Sequence, residues 1–189
     1  MAIAACRRIE RILPESEGLR AAGKTLRIAP KSKYDLVERM DCVLIRLAIL
    51  SEREYLEALQ LRASLTNAGD RDALLAHPDA ITLPQEQIEA GLVYVAERNG
   101  AIDGFSAILP RPDGETELDA LFVEPHSRRF GIGRSLVEYC AQIAKARGSN
   151  ALHVIGNPHA MEFYTACGFK FVGAAEPPPP PGLLLRKQL

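Results

Sequence analysis

Three consecutive β-forming runs, joined by two short turn signals, restrict this chain more than anything else in it. Leu92 to Glu97, Ala101 to Leu109 and Glu115 to Val123 carry β-branched and aromatic residues at strand-like density. Asn99-Gly100 separates the first two runs, and Asp113-Gly114 separates the last two. Asn-Gly suits the left-handed backbone of a two-residue hairpin turn. The three runs therefore predict an antiparallel meander. After Gly133 the period changes: Leu136, Val137, Cys140, Ile143 and Ala144 recur at helical spacing, and Gly148 supplies the stop.

The flanks fill in around this meander. Val43 to Leu47 predicts a first strand. Ser51 with Glu54 reads as a capping box ahead of a helix that puts Tyr55, Leu56, Leu59 and Arg62–Ala63 around one side. Asp70 to Ala76 and Pro84 to Ala90 read as shorter helices. Beyond Gly148, Ala151 to Ile155 predicts a buried strand and Pro158 to Ala166 a short helix stopped by Gly168. Phe169 to Val172 and Leu183 to Arg186 predict closing strands, and Pro177 to Pro181 a stiff loop between them. The fold class is mixed α/β (α+β): a mostly antiparallel central sheet of about six to seven strands, flanked by helices. The folded domain is expected over residues 41–189.

Residues 1–40 are set apart by charge. They hold nine basic and five acidic residues, against fourteen and nineteen in the remainder. They lack a sustained helical or strand period and are read as a weakly structured extension. Met40 stands just before the first convincing strand and is a candidate start of translation. Met1 to Leu13 has Arg7, Arg8 and Arg11 but no apolar core of a secretory signal, and Glu10, Glu15 and Glu17 run against a transit peptide. The net charge of −1 argues against a nucleic-acid surface, and no apolar run is long enough to span a membrane. Cys6, Cys42, Cys140 and Cys167 form no C-x-x-C pair, and no histidine completes a metal site. This usage points to a reducing, cytoplasmic setting.

Chemistry concentrates between Val123 and Arg134, where a strand passes into a helix. Gly131 and Gly133 let the backbone turn tightly and approach a ligand. The helix that follows offers unpaired N–H groups and the positive end of its dipole, a setting for phosphate. Arg128, Arg129 and Arg134 add positive charge. No G-K-[ST] follows, and a third glycine is missing, so neither a Walker loop nor a dinucleotide fingerprint fits. A phosphorylated cofactor is the expected occupant.

Arg128-x-x-Gly131-x-Gly133, preceded by Leu121 to Pro125, resembles the [QR]-x-x-G-x-[GA] signature of the GNAT superfamily of acyl-CoA N-acyltransferases. Asn157 to Tyr164, leading into Cys167-Gly168-Phe169, is similar to the family's second pattern. The resemblance covers roughly residues 43–189. It implies acetyl-CoA as cosubstrate, its pyrophosphate on the backbone of Arg129, Phe130, Gly131, Ile132, Gly133 and Arg134. It also implies a fourth strand splayed from the fifth. The pantetheine arm would lie between them, against the backbone of Leu121, Phe122 and Val123, with Asn157 on the other side. Asn157 also suits a helix cap ahead of Pro158.

The implied reaction is direct attack of an amine on the thioester within a ternary complex. A lysine-type amine is only about one part in 2,500 neutral at pH 7, so a base or a desolvating site must free it. By resemblance Tyr164 is the acid that protonates the departing thiolate; core packing is its alternative role. Glu117 and Asp119 share strand parity, and Glu117 stands eleven residues before Arg128, where family histone acetyltransferases carry a glutamate base. Solvated strand carboxylates, or a water chain with no single base, are the alternatives. His126 and His153 are weaker candidates; His153 is read as packed. The acceptor pocket is expected from residues 51–91 and the 173–182 loop, with Glu54, Asp70, Asp72, Asp79, Glu86 and Glu89 as acidic groups. The partners expected are a small-molecule or peptide amine, with no nucleic acid and no membrane; the family leaves a homodimer open. Two other readings stay open: a non-catalytic acyl-CoA-binding or regulatory module, and an interaction protein using the proline loop.

Overall fold

The computed structural model describes residues 43–77, 81–175 and 182–189. The expected extension over residues 1–40, Asp79 and the proline run Pro177 to Pro181 lie outside them.

The chain opens with β1 (Leu44–Leu47) and a 3₁₀ turn (Leu50–Glu52), followed by α1 (Arg53–Ser64), α2 (Ala68–Ala76) and α3 (Gln85–Glu89). The meander is β2 (Val93–Arg98), β3 (Ala101–Pro110) and β4 (Thr116–Val123). Then come α4 (Ile132–Ala146), β5 (Ala151–Gly156), a 3₁₀ turn (Pro158–Ala160) running into α5 (Met161–Ala166), β6 (Lys170–Ala175) and β7 (Gly182–Gln188). The expected element order holds throughout. The hairpin turn forms as read, with Asn99 at φ 54° and Gly100 at φ 78°.

The first helical start differs from the sequence reading. The glutamate of the cap is Glu52, not Glu54. Its carboxylate accepts from the Ile49 N–H at 3.0 Å, and the Glu52 N–H donates to the Ile49 carbonyl at 2.9 Å. Arg46 from β1 holds that carboxylate at 2.8 Å, which fastens the turn to the strand. Helix α4 begins two residues earlier than read, at Ile132, because Gly131 takes the capping position.

The seven strands form one sheet in the order β1-β2-β3-β4-β5-β7-β6. All neighbours are antiparallel except β4 and β5. Leu56, Leu59 and Ala63 of α1, with Leu83 and Ile88, cover one face and meet Ala120 and Phe122 of β4. The stripe Ile132, Leu136, Val137, Cys140 and Ala144 of α4 covers the other, against Leu118, Leu121 and Val123. Burial of each such large side chain contributes about 1.5–3 kcal/mol, so the two helix layers fix the sheet between them.

Two features of β4 position the site. Its parallel pairing with β5 covers only Thr116–Leu152, Glu117–His153 and Leu118–Val154. Beyond Leu118 the two strands part, as the family resemblance implies. On its other edge, Ala107 faces Ala120 while Ile108 faces Leu118, so Asp119 is one residue extra on β4. Strict alternation therefore fails at Asp119, and shared parity does not by itself set Glu117 and Asp119 on one face.

Candidate active site

The fork between β4 and β5 leads to the loop that joins β4 to α4. Here the backbone takes left-handed turns at Arg129, φ 68°, and at Gly131, φ 80°. An arginine at positive φ is uncommon and marks a specialised loop. Gly131 is needed for its conformation, since nothing lies within 4 Å of where a Cβ would sit. Gly133 lets the Phe163 ring close in: a Cβ there would meet that ring at 3.2 Å, and the ring would have to give by a few tenths of an ångström. Among the described residues, nothing accepts a hydrogen bond from the backbone N–H groups of Arg129 through Arg134; the first paired one is Ser135, to Gly131. Six adjacent donors at the start of a fifteen-residue helix make a preformed anion cradle.

The arginine side chains are placed differently from the sequence reading. Arg128 turns inward: its Nη2 donates to the Ala63 carbonyl at 3.2 Å and to Thr66 Oγ1 at 2.6 Å, and burial lowers its pKa. Arg134 reaches the Ala166 carbonyl at 2.6 Å, closing the end of α5. Arg129 is exposed. The cradle's positive character therefore rests chiefly on the backbone.

A polar network supports the loop that the sequence reading did not single out. Buried Asp103 on β3 accepts from Arg98 Nε and from Ser127 Oγ, both at 2.7 Å, while its carbonyl accepts from the Glu124 N–H at 2.8 Å. Buried Glu124 accepts from Arg62 on α1 and, at 3.4 Å, from the Tyr55 hydroxyl. The Arg98 guanidinium lies 4.6 Å from the Phe130 ring centroid. The only hint in the sequence is acidic residues at a strand start and a strand end, too common to single out.

Across the fork stands α5. Asn157 caps its leading turn, accepting from the His159 N–H at 2.9 Å. Tyr164 is fully buried, more so than Phe163, so it also takes the core-packing role that the sequence left open to it. Its ring meets Phe163 at 5.3 Å and Phe169 at 5.4 Å, both edge-on. Burial holds the phenol well above its usual pKa, so it stays a neutral O–H. A Cβ on Gly156 would sit 2.7 Å from the Tyr164 ring, so only glycine leaves room for it.

The two carboxylates of β4 are both buried, at 7% and 6% exposure. Glu117 sits in the paired half, opposite His153, with Arg111 at 3.5 Å. Asp119 stands at the bulge where the fork opens. His153 is half-buried, not packed, and burial together with Arg111 lowers its pKa. His126 is largely exposed beside Asp103. Cys140 is core, its Sγ 3.2 Å from Ser106 Oγ, and burial raises its thiol to about 12. Glu54, Asp72, Glu86 and Glu89 are solvated. Among the described residues no helix is long and apolar enough to cross a membrane.

Known proteins share this frame. PaiA N-acetyltransferase from Thermoplasma acidophilum, solved in complex with coenzyme A, superposes with a TM-score of 0.62 at 16% identity, covering 78% of this chain and 99% of that one. YncA from Salmonella typhimurium, solved with acetyl-CoA, gives 0.59 at 20% identity over 78% and 94%. At these identities the likeness is one of fold. The peptidyl-lysine N-acetyltransferase YjaB of Escherichia coli is 39% identical over 59 residues, which span 31% of this chain and 39% of YjaB. The acetyltransferase (GNAT) family matches residues 59–169, from α1 through the cradle to the end of α5. That stretch is more than half of the sequence and contains the fork, so this chain belongs to the acetyltransferase (GNAT) family.

Proposed function

We propose that the protein transfers an acetyl group from acetyl-CoA to an amine by direct attack in a ternary complex. The observation that carries this is the row of unclaimed N–H groups at Arg129–Arg134, set at the mouth of the β4–β5 fork. The row suits a diphosphate. The fork supplies a free strand edge at Leu121–Val123 for the amides of an extended pantetheine arm, as in strand addition. Asn157 borders the same arm from β5.

The amine nitrogen attacks the thioester carbonyl, the C–S bond breaks, and the thiolate leaves. Tyr164 gives its phenolic proton to that sulfur; its burial keeps the proton in place until the thiolate forms. The ammonium proton passes to a carboxylate or to water. Asp119 is better placed for this than Glu117, because it stands where the fork opens while Glu117 sits in the paired half. YjaB's name makes a lysine side chain in a peptide the first acceptor to try. We also place the protein in the cytoplasm, where acetyl-CoA and reduced thiols are available.

The test is calorimetric titration with acetyl-CoA, on the wild type and on Gly131→Glu. The wild type binds in the micromolar range; the variant loses at least about a hundredfold, because a carboxylate fills the cradle and the left-handed turn is strained. A thiol-release assay with lysine peptides and polyamines then identifies the acceptor. A wild type that binds no acetyl-CoA overturns the reading.

A further inference from the structure

Phe130 lies within the cradle and is 61% exposed. A single exposed ring is ordinary by itself. This one is braced from one side. The Arg98 guanidinium lies 4.6 Å from its centroid, close enough for a cation–π contact. Arg98 is itself fixed, its Nε bonded to buried Asp103 at 2.7 Å and its Nη2 3.4 Å from Ser127 Oγ. The same aspartate accepts from Ser127, three residues before Phe130. The ring is thus ordered in advance yet left largely uncovered. Because Asp103 neutralises Arg98, the pair offers little to another phosphate; what it presents is an aromatic face.

Resting on the acetyl-CoA reading above, we propose that the side chain of Phe130 is the stacking platform for the adenine ring of the cosubstrate, with Arg98 as its positioning residue. In CoA the base is one ribose away from the diphosphate. A ring inside the diphosphate cradle is therefore in the right neighbourhood to meet it. Stacking of a base on an aromatic side chain is sequence-independent and strong enough to affect affinity. A ring already held in place loses little freedom when the base arrives.

The experiment compares the binding of CoA, 3′-dephospho-CoA and 4′-phosphopantetheine by calorimetry to the wild type, Phe130→Ala and Phe130→Trp. The last ligand has the arm and a phosphate but no base. Phe130→Ala is expected to weaken CoA and 3′-dephospho-CoA about tenfold and to leave 4′-phosphopantetheine unchanged. Phe130→Trp retains or improves CoA binding. Equal CoA affinity in the wild type and Phe130→Ala overturns the proposal, as does an equal loss for all three ligands, which would mean a distorted loop. A wild type that binds none of the three overturns the cosubstrate reading instead. Phe130→Ala is exposed and lies outside both core clusters, so its fold is expected to persist; an unchanged far-UV spectrum checks this.

Discussion

On the β4 side of the fork the parts are fastened by charge, whereas on the β5 side they are fastened by shape. Arg98, Asp103 and Ser127 hold the beginning of the cradle, and Arg62 ties Glu124 to α1. Opposite them, Tyr164 is wedged among Phe163, Phe169 and the bare backbone of Gly156. A cradle must hold donors at fixed angles while staying open to water, which directional hydrogen bonds do well. A proton donor must keep its proton and one orientation, which close packing does well. The two sides should therefore fail under different perturbations.

The largest effect is expected from adding one methyl group on the packed side. Gly156→Ala forces the Tyr164 ring aside, since the new Cβ would lie 2.7 Å from it. Overpacking of this kind destabilises by about 1–3 kcal/mol. A misplacement of about 1 Å lowers turnover about a hundredfold. CoA affinity should change far less, because the cradle is untouched. Parallel measurement of kcat and the CoA Kd separates these effects; equal losses in both would dissolve the distinction between the sides.

A smaller loss, of the opposite kind, is expected from Asp103→Ala. The change leaves Arg98 and Ser127 without their acceptor, costing about 2 kcal/mol in stability. The loop it supports loosens, so CoA affinity drops about tenfold while kcat at saturating CoA is retained. Chemical denaturation and calorimetry on the same sample check both halves.

The effect that is smallest at neutral pH, where it vanishes, is a pH dependence carried by the packed core. Cys140 has a folded pKa of about 12 against an ordinary 9.0, raised by burial. Below pH 9 the thiol is neutral in both states and its contribution is complete. As pH rises from 9 towards 12 the unfolded thiol ionises first, so stability falls across that window. Tyr164 acts with the same sign above its ordinary 10.0. Thermal melts from about pH 8 to 11 should show a falling Tm, and Cys140→Ala should reduce the slope. A slope unchanged in that variant would remove the thiol from the account.

The division also explains what the sequence could reveal. The meander was legible because Asn99-Gly100 and the alternation around it are local signals. The turn ahead of α4 was legible because Gly131 takes a left-handed conformation that few other residues adopt, and Gly133 leaves room for the Phe163 ring. Arg128 misled, because a cation near a phosphate loop is naturally assigned to the phosphate, and only the tertiary fold shows it reaching α1. Asp103 was silent for the same reason: its partners stand on β2 and in the loop after β4. The bulge at Asp119 broke a parity argument that holds only for a regular strand. For Tyr164 the sequence left core packing as one of two roles, but not the means, since the ring's fit depends on the missing side chain of Gly156 at the end of β5.

The sheet order carries one more consequence. β7 follows β6 in the chain but lies between β5 and β6, and β5 pairs with β7 only on that side. During synthesis, β6 emerges with no neighbour to join. The half of the sheet that brings Leu185 into the same core cluster as Tyr164 can assemble only once β7 has left the ribosome and slipped into the gap. The surroundings of Tyr164 are thus completed only after the other six strands of the sheet have been made.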